Sequence, residues 1–229
     1  MDDGIDMNKM TVSPLLIVSP QGPKASSTKE MVHLRQGDLD GACGPYCLFM
    51  ALIALGLLNR HEATHMSEWD GRSREGKLRE ALKDFGSLIS NGTYGSDLVL
   101  LTDFFKVKRL SAKHVQGSKK HVFQVAAEAI AENRLPVIGV RWSGGGSHWL
   151  LVIGFQGVEQ DGELQLTHLL CLDPGHEAPK TSLWNAVIEV FNPDGSSVNS
   201  GRLTSDYWGI SGEKEKCQIE ETVILTQQE

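Results

Sequence analysis

Apolar residues change their rhythm part-way along this chain. The first half carries them at helical spacing; the second carries short, dense runs separated by glycines and polar turns. Cys47–Leu58 is almost wholly apolar and predicts a buried helix. Leu78, Ala81, Leu82 and Phe85 share one face of a helix over Glu75–Phe85, with Gly86 as its stop. A helix running through Leu101–Phe105 takes its cap from Ser96 or Asp97. Lys106–Leu110 predicts a short strand, and Val122–Asn133 an amphipathic helix ended by Arg134-Leu135-Pro136. Strands then take over at Val137–Val140, His148–Phe155, Leu164–Leu172, Ala186–Phe191 and Gln218–Thr226. His148–Phe155 is apolar enough for a buried central strand, and a hairpin near Gln160-Asp161-Gly162 pairs it with Leu164–Leu172. Asn192–Gly201 reads as a long polar loop. Helices first and strands later predict an α+β fold, an N-terminal helical part packed on a largely antiparallel β-sheet.

Composition narrows the class. The 229 residues are 40% hydrophobic and 22% charged, ordinary for a soluble globular protein. A net charge of -7 without a lysine/arginine block argues against nucleic acid as a partner. The longest helix-like apolar run, about a dozen residues, is too short to span a bilayer. The acidic start Met1-Asp2-Asp3 is not a secretory signal, so a cytoplasmic location is expected, with export lacking a cleaved signal left open. Cys43, Cys47, Cys171 and Cys217 match neither a paired zinc pattern nor a disulfide framework, so they are expected as free thiols. Residues 1–29 read as a loosely structured, flexible arm in which only Pro14–Val18 could form a strand; residues 30–229 form the main domain.

Candidate chemistry gathers at Arg35–Tyr46, a Gly-rich turn that ends on Cys43 and opens into the apolar helix. Pro45 suits the first helical position. Cys43 therefore sits where unpaired helix N–H groups favour a thiolate. Such a nucleophile needs a base, an orienter for that base and donors for a developing oxyanion. His148 opens the central strand directly after Gly144-Gly145-Gly146, whose small residues leave room for a substrate backbone. Asp173 closes the next strand of the hairpin, where it can meet the imidazole and fix its tautomer. Gln36 lies shortly before Cys43 and can donate to the oxyanion beside the Cys43 N–H. Trp149, with Trp142, either walls a narrow cleft or packs in the core. Cys47, one turn further along the helix, reads as packing. A competing signal is His61-Glu62-Ala63-Thr64-His65, the H-E-x-x-H pattern of a zinc hydrolase; its polar surroundings favour a surface connection.

Gln36, Cys43-Gly44-Pro45 opening an apolar helix, Gly146-Ser147-His148-Trp149 opening a strand, and Asp173-Pro174-Gly175 together resemble the papain-like cysteine peptidases. The chain is most similar to the bacterial C39-like branch that cleaves after double glycines. The resemblance runs from about Met31 to Gly175 and implies a papain-like fold needing no cofactor. It implies Cys43 as nucleophile, His148 as general acid/base, Asp173 as orienter and Gln36 as oxyanion donor. It makes Gly146 and Trp149 substrate-binding candidates. A protein or peptide is the implied substrate, and antagonistic effectors among stand-alone relatives suggest a cognate inhibitor or immunity protein. No membrane partner is implied, because the transporter segments of leader-processing exporters do not follow. Other classes stay open: the same triad serves acyl transfer or deamidation, and a peptidase-like domain can be an inactive binding module.

Overall fold

The computed structural model describes residues 7–37, 41–65, 68, 70–84, 92–160, 163–198 and 204–228. Asp38–Asp40 of the Gly-rich turn, the tip Asp161-Gly162 of the hairpin, Phe85 and Gly86, and the last residues of the Asn192–Gly201 loop lie outside the described residues.

Helix α1, Cys43–Ala54, is buried on every side: eleven of its twelve residues are buried, Tyr46 alone being partly exposed. An all-round apolar sequence leaves a helix no solvent face, so it must be surrounded. Cys43, not Pro45, takes the first helical position; Pro45 follows two residues later, still in the first turn, where its missing N–H costs no helical hydrogen bond. The helix stops at Gly56, whose φ of +68° closes a Schellman turn. In that turn the Gly56 N–H donates to Ile53 and the Leu57 N–H to Leu52, 3.0 and 2.8 Å. Among the described residues the further α-helices are α2 (Arg60–Thr64), α3 (Arg74–Asp84), α4 (Gly95–Thr102) and α5 (Lys119–Ala131).

The strands are β1 (Met7–Val12), β2 (Leu16–Ile17), β3 (Lys24–Ala25), β4 (Leu110–Gln116), β5 (Leu135–Trp142), β6 (Ser147–Gln160), β7 (Glu163–Leu172), β8 (Ala186–Glu189), β9 (Thr204–Gly209) and β10 (Lys214–Gln227). Their pairings are antiparallel, as the succession of helices and then strands implied. The sheet is nevertheless not open. β6, β5, β10, β9, β8 and β7 pair in that order, and β7 returns to β6, closing a six-stranded barrel. β1 and β4 are appended to it, on β6 and β10. Closure depends on β9, which bridges β8 and β10 and which the polar sequence around it conceals.

β6 is covered on both faces. Trp149, Leu151 and Ile153 pack with α1, while Leu150 and Val152 pack with α5 and with Ile188 and Tyr207 inside the barrel. Each large apolar side chain so buried contributes roughly 1.5–3 kcal/mol.

Two local expectations are corrected. Lys106–Leu110 is not a strand: Asp103–Lys108 forms a 3-10 turn, Arg109 adopts φ +56°, and β4 begins at Leu110. Lysines at Lys106 and Lys108 suit the C-terminal end of that turn, where carbonyl groups face solvent. The N-terminal residues from Met7 are not loose. β1 lies along Gly154–Glu159 of β6, and Leu16 and Ala25 are in the main core. Met7–Val12 carries no alternation that would mark a strand in the sequence, but it covers an edge of β6. Among the described residues, no helix is long and apolar enough to cross a membrane.

Candidate active site

Cys43 begins α1 over the mouth of the barrel, and its residue is 6% exposed. Ala42 has no polar side chain with which to cap the helix, and its carbonyl accepts from the Tyr46 N–H (3.0 Å). α1 is seated on β6 by two close contacts. The Cys47 thiol donates to the Trp149 carbonyl (3.2 Å), and Gly44 lies so near the Trp149 ring that a Cβ there would sit 3.1 Å from Cδ1. Burial pushes the Cys47 thiol far up, which suits packing and not nucleophilic work.

His148 stands at the start of β6 on the face of Leu150 and Val152. Its Nε2–H donates to Asp173 Oδ1 at 2.7 Å, and its side chain is also hydrogen-bonded to Cys43, which leaves Nδ1 for the thiol. Burial alone would lower the imidazole pKa; the bonds to Asp173 and Cys43 outweigh it and raise it to about 10. Trp142 stacks beside the ring, centroids 5.9 Å apart.

Asp173 follows directly on β7 and is 2% exposed. Burial would lift its pKa, but donors from His148, Tyr207 and the Gly175 N–H outweigh this and hold the carboxyl below the usual carboxylate range. Tyr207 O–H donates to Oδ2 at 2.6 Å, and the Gly175 N–H to Oδ1 at 2.6 Å. The backbone of Asp173 is fixed as firmly. Asn185 Oδ1 accepts from its N–H (2.6 Å), while Asn185 Nδ2 and His33 Nε2 donate to its carbonyl (2.9 and 3.0 Å). The Gln36 N–H donates to the Pro174 carbonyl (2.7 Å), which ties Gln36 to the Asp173 turn.

A cleft of about 390 Å³ adjoins the thiol and imidazole. Trp149 lines it, though the residue is only 4% exposed and its indole N–H is committed to the Thr93 carbonyl (2.8 Å). Gly146 does not line it; Gly145 and Gly146, at φ +97° and +86°, instead make the tight turn between β5 and β6. The far wall carries Glu220 and Glu221 side by side. Successive residues of a regular strand face opposite ways, but the register of β10 against β5 slips between Ile219 and Glu221. That bulge turns both carboxylates to the same cleft. Glu220 pairs with Arg141 (2.7 Å) and Glu221 with His114 (2.6 Å).

The structure therefore brings together Cys43, His148 and Asp173, with Gln36 anchored to the same turn. It adds Tyr207, Asn185 and the paired glutamates, which sequence reasoning missed. Tyr207-Trp208, β-forming aromatics between Thr204 and Gly209, were the available signal. The H-E-x-x-H residues do local work in the fold. Glu62 is the third residue of α2 and accepts from the Asn59 N–H (2.9 Å) in a capping box, while the ring of His61 is 70% exposed. Among the described residues, no group of three or more His, Cys, Asp or Glu is gathered as a metal would require.

Neither family models nor curated protein sequences match the chain. Among solved structures it is similar to UfSP from C. elegans, at 13% identity and a TM-score of 0.47. That match covers 100% of this chain and 36% of the other, so the chain spans about a third of its length.

Proposed function

We propose that the protein is a cysteine peptidase of papain-like type. The observation that carries this reading is the line Cys43–His148–Asp173: a thiol at a helix start, bonded to an imidazole whose far nitrogen is 2.7 Å from a buried carboxylate. The thiolate of Cys43 attacks an amide carbonyl carbon, and the carbonyl electrons move to oxygen. Collapse breaks the C–N bond, and His148 gives its proton to the leaving amine. Water then attacks the thioester with His148 as base, releasing the acid and restoring the thiol. Asp173 holds the ring and stabilises its charged form. Gln36 and the Cys43 N–H serve the oxyanion.

The substrate is a protein or peptide entering the cleft against Trp149. Cleavage after paired glycines, an antagonistic role and a cognate inhibitor rest on the resemblance of the sequence motifs alone.

The test is proteomic. Incubation with candidate protein extracts should yield new peptide termini that vanish with Cys43→Ala, and His148→Ala should lower the rate by at least about 10²-fold. Asp173→Ala should cost less than His148→Ala. Cleavage undiminished by Cys43→Ala would refute the assignment; a mass gain of about one unit or a crosslink in place of new termini would make it a deamidase or acyltransferase.

A further inference from the structure

Beyond the thiol, imidazole and carboxylate, the hydrogen-bonded line continues. Tyr207 O–H donates to Asp173 Oδ2 at 2.6 Å, and His176 Nε2 lies 2.6 Å from the Tyr207 oxygen. The single hydroxyl proton goes to the carboxylate, so His176 must be the donor in the second bond. His176 Nε2 is itself 3.9 Å from Oδ2, too far to replace the hydroxyl. The Tyr207 ring is held from two sides: Trp142 meets it edge-on at 5.0 Å and His176 stacks at 6.1 Å. Trp142 also stacks on His148, so one indole touches both ends of the Asp173 bridge. Nothing of this kind is needed merely to fill space, since phenylalanine would fill the barrel mouth equally well.

We infer that Tyr207 is a positioning residue of the site, held in register by His176, which pins one carboxylate oxygen of Asp173 so that the other faces His148. The inference rests on the thiol–imidazole reading above. It has a physical reason. Oδ1 takes two donors, His148 and the Gly175 N–H, and Oδ2 takes the hydroxyl. Removing the hydroxyl leaves a buried carboxylate oxygen short of a partner, and the group will turn or take a proton to recover one. Either response weakens the support of the imidazolium. Burial beside Asp173 drives the Tyr207 pKa upward, so the hydroxyl stays a donor throughout the working range.

The test needs no substrate. The full chain is alkylated with iodoacetamide from pH 4 to 10, and modification of the Cys43 peptide is timed by mass spectrometry. Alkylation proceeds through the thiolate, so its rate against pH traces an acid limb. In Tyr207→Phe the acid limb should move up by about one pH unit, slowing alkylation at pH 6 about tenfold, while rates at pH 10 coincide. His176→Phe, which keeps a ring against Tyr207, should shift the limb the same way by less. An unmoved acid limb in Tyr207→Phe, or equal slowing at pH 6 and pH 10, overturns the inference. Should Tyr207→Phe not fold, an unmoved limb in His176→Phe does so. A native chain without any reactivity at pH 6 is a different failure: it removes the thiol–imidazole pair itself.

Discussion

The charge on His148 ties stability to pH. Its folded pKa of about 10 lies above the ordinary 6.5, so its contribution to stability is complete below about 6.5. The contribution drains away as pH rises towards 10. The melting temperature of the native chain should therefore exceed that of His148→Gln most at pH 6, and the gap should close towards pH 10. Each kcal/mol is worth roughly 2–4 °C in a chain of this size, so the change is measurable by scanning calorimetry. A gap constant across that range would show that the imidazole is not charged in the fold. Cys43, His148 and Asp173 were visible in the sequence because each marks an element boundary beside glycine or proline. Tyr207 was not, for its role depends on β9 lying two strands from β7 in a closed ring. No local pattern encodes that neighbourhood. Asn185 was hidden for a similar reason: a polar residue before a short strand looks like any turn until its amide is seen to clamp Asp173.

At the scale of elements, the H-E-x-x-H pattern shows how one spacing serves two kinds of physics. Glutamate three residues after Asn59 is also the signature of a capping box, and α2 is too short to present two rings rigidly to a metal. Glu62→Ala should lower stability by about 0.3–1.5 kcal/mol, read from denaturant unfolding, while leaving Cys43 alkylation unchanged. Loss of thiol reactivity in that variant would mean that α2 belongs to the site after all. The bulge in β10 was equally unreadable beforehand. Glu220-Glu221 within an alternating strand implies one residue in and one out; only the slipped register against β5 brings both to the cleft. Gly139 and Gly95 make the space: a Cβ at Gly139 would sit 2.9 Å from Glu221 Cγ, and one at Gly95 would sit 2.5 Å from His114 Nε2.

For the whole molecule, the helical half and the strand half were legible from the change in apolar rhythm, but the closing of the sheet was not. The edge strand from Met7 resists reading for the same reason, since an edge strand acquires its meaning from the strand it covers. Deleting residues 1–29 strips β1 from β6 and Leu16 from the core. It should cost at least the roughly 1.5–3 kcal/mol of one buried leucine and expose an edge prone to self-association. A lower melting temperature and larger particles in light scattering would register both; an unchanged melt would return that segment to the status of a tail. The strands bearing His148, Asp173 and Tyr207 all belong to the barrel wall, whereas Cys43 rides on α1 outside it. The sulfur thus meets its imidazole across a single seam, pinned where Gly44 and Cys47 rest on Trp149. A wedge that parts that seam by an ångström would silence the chemistry while leaving both halves folded, and a bulkier residue at 44 is the smallest such wedge.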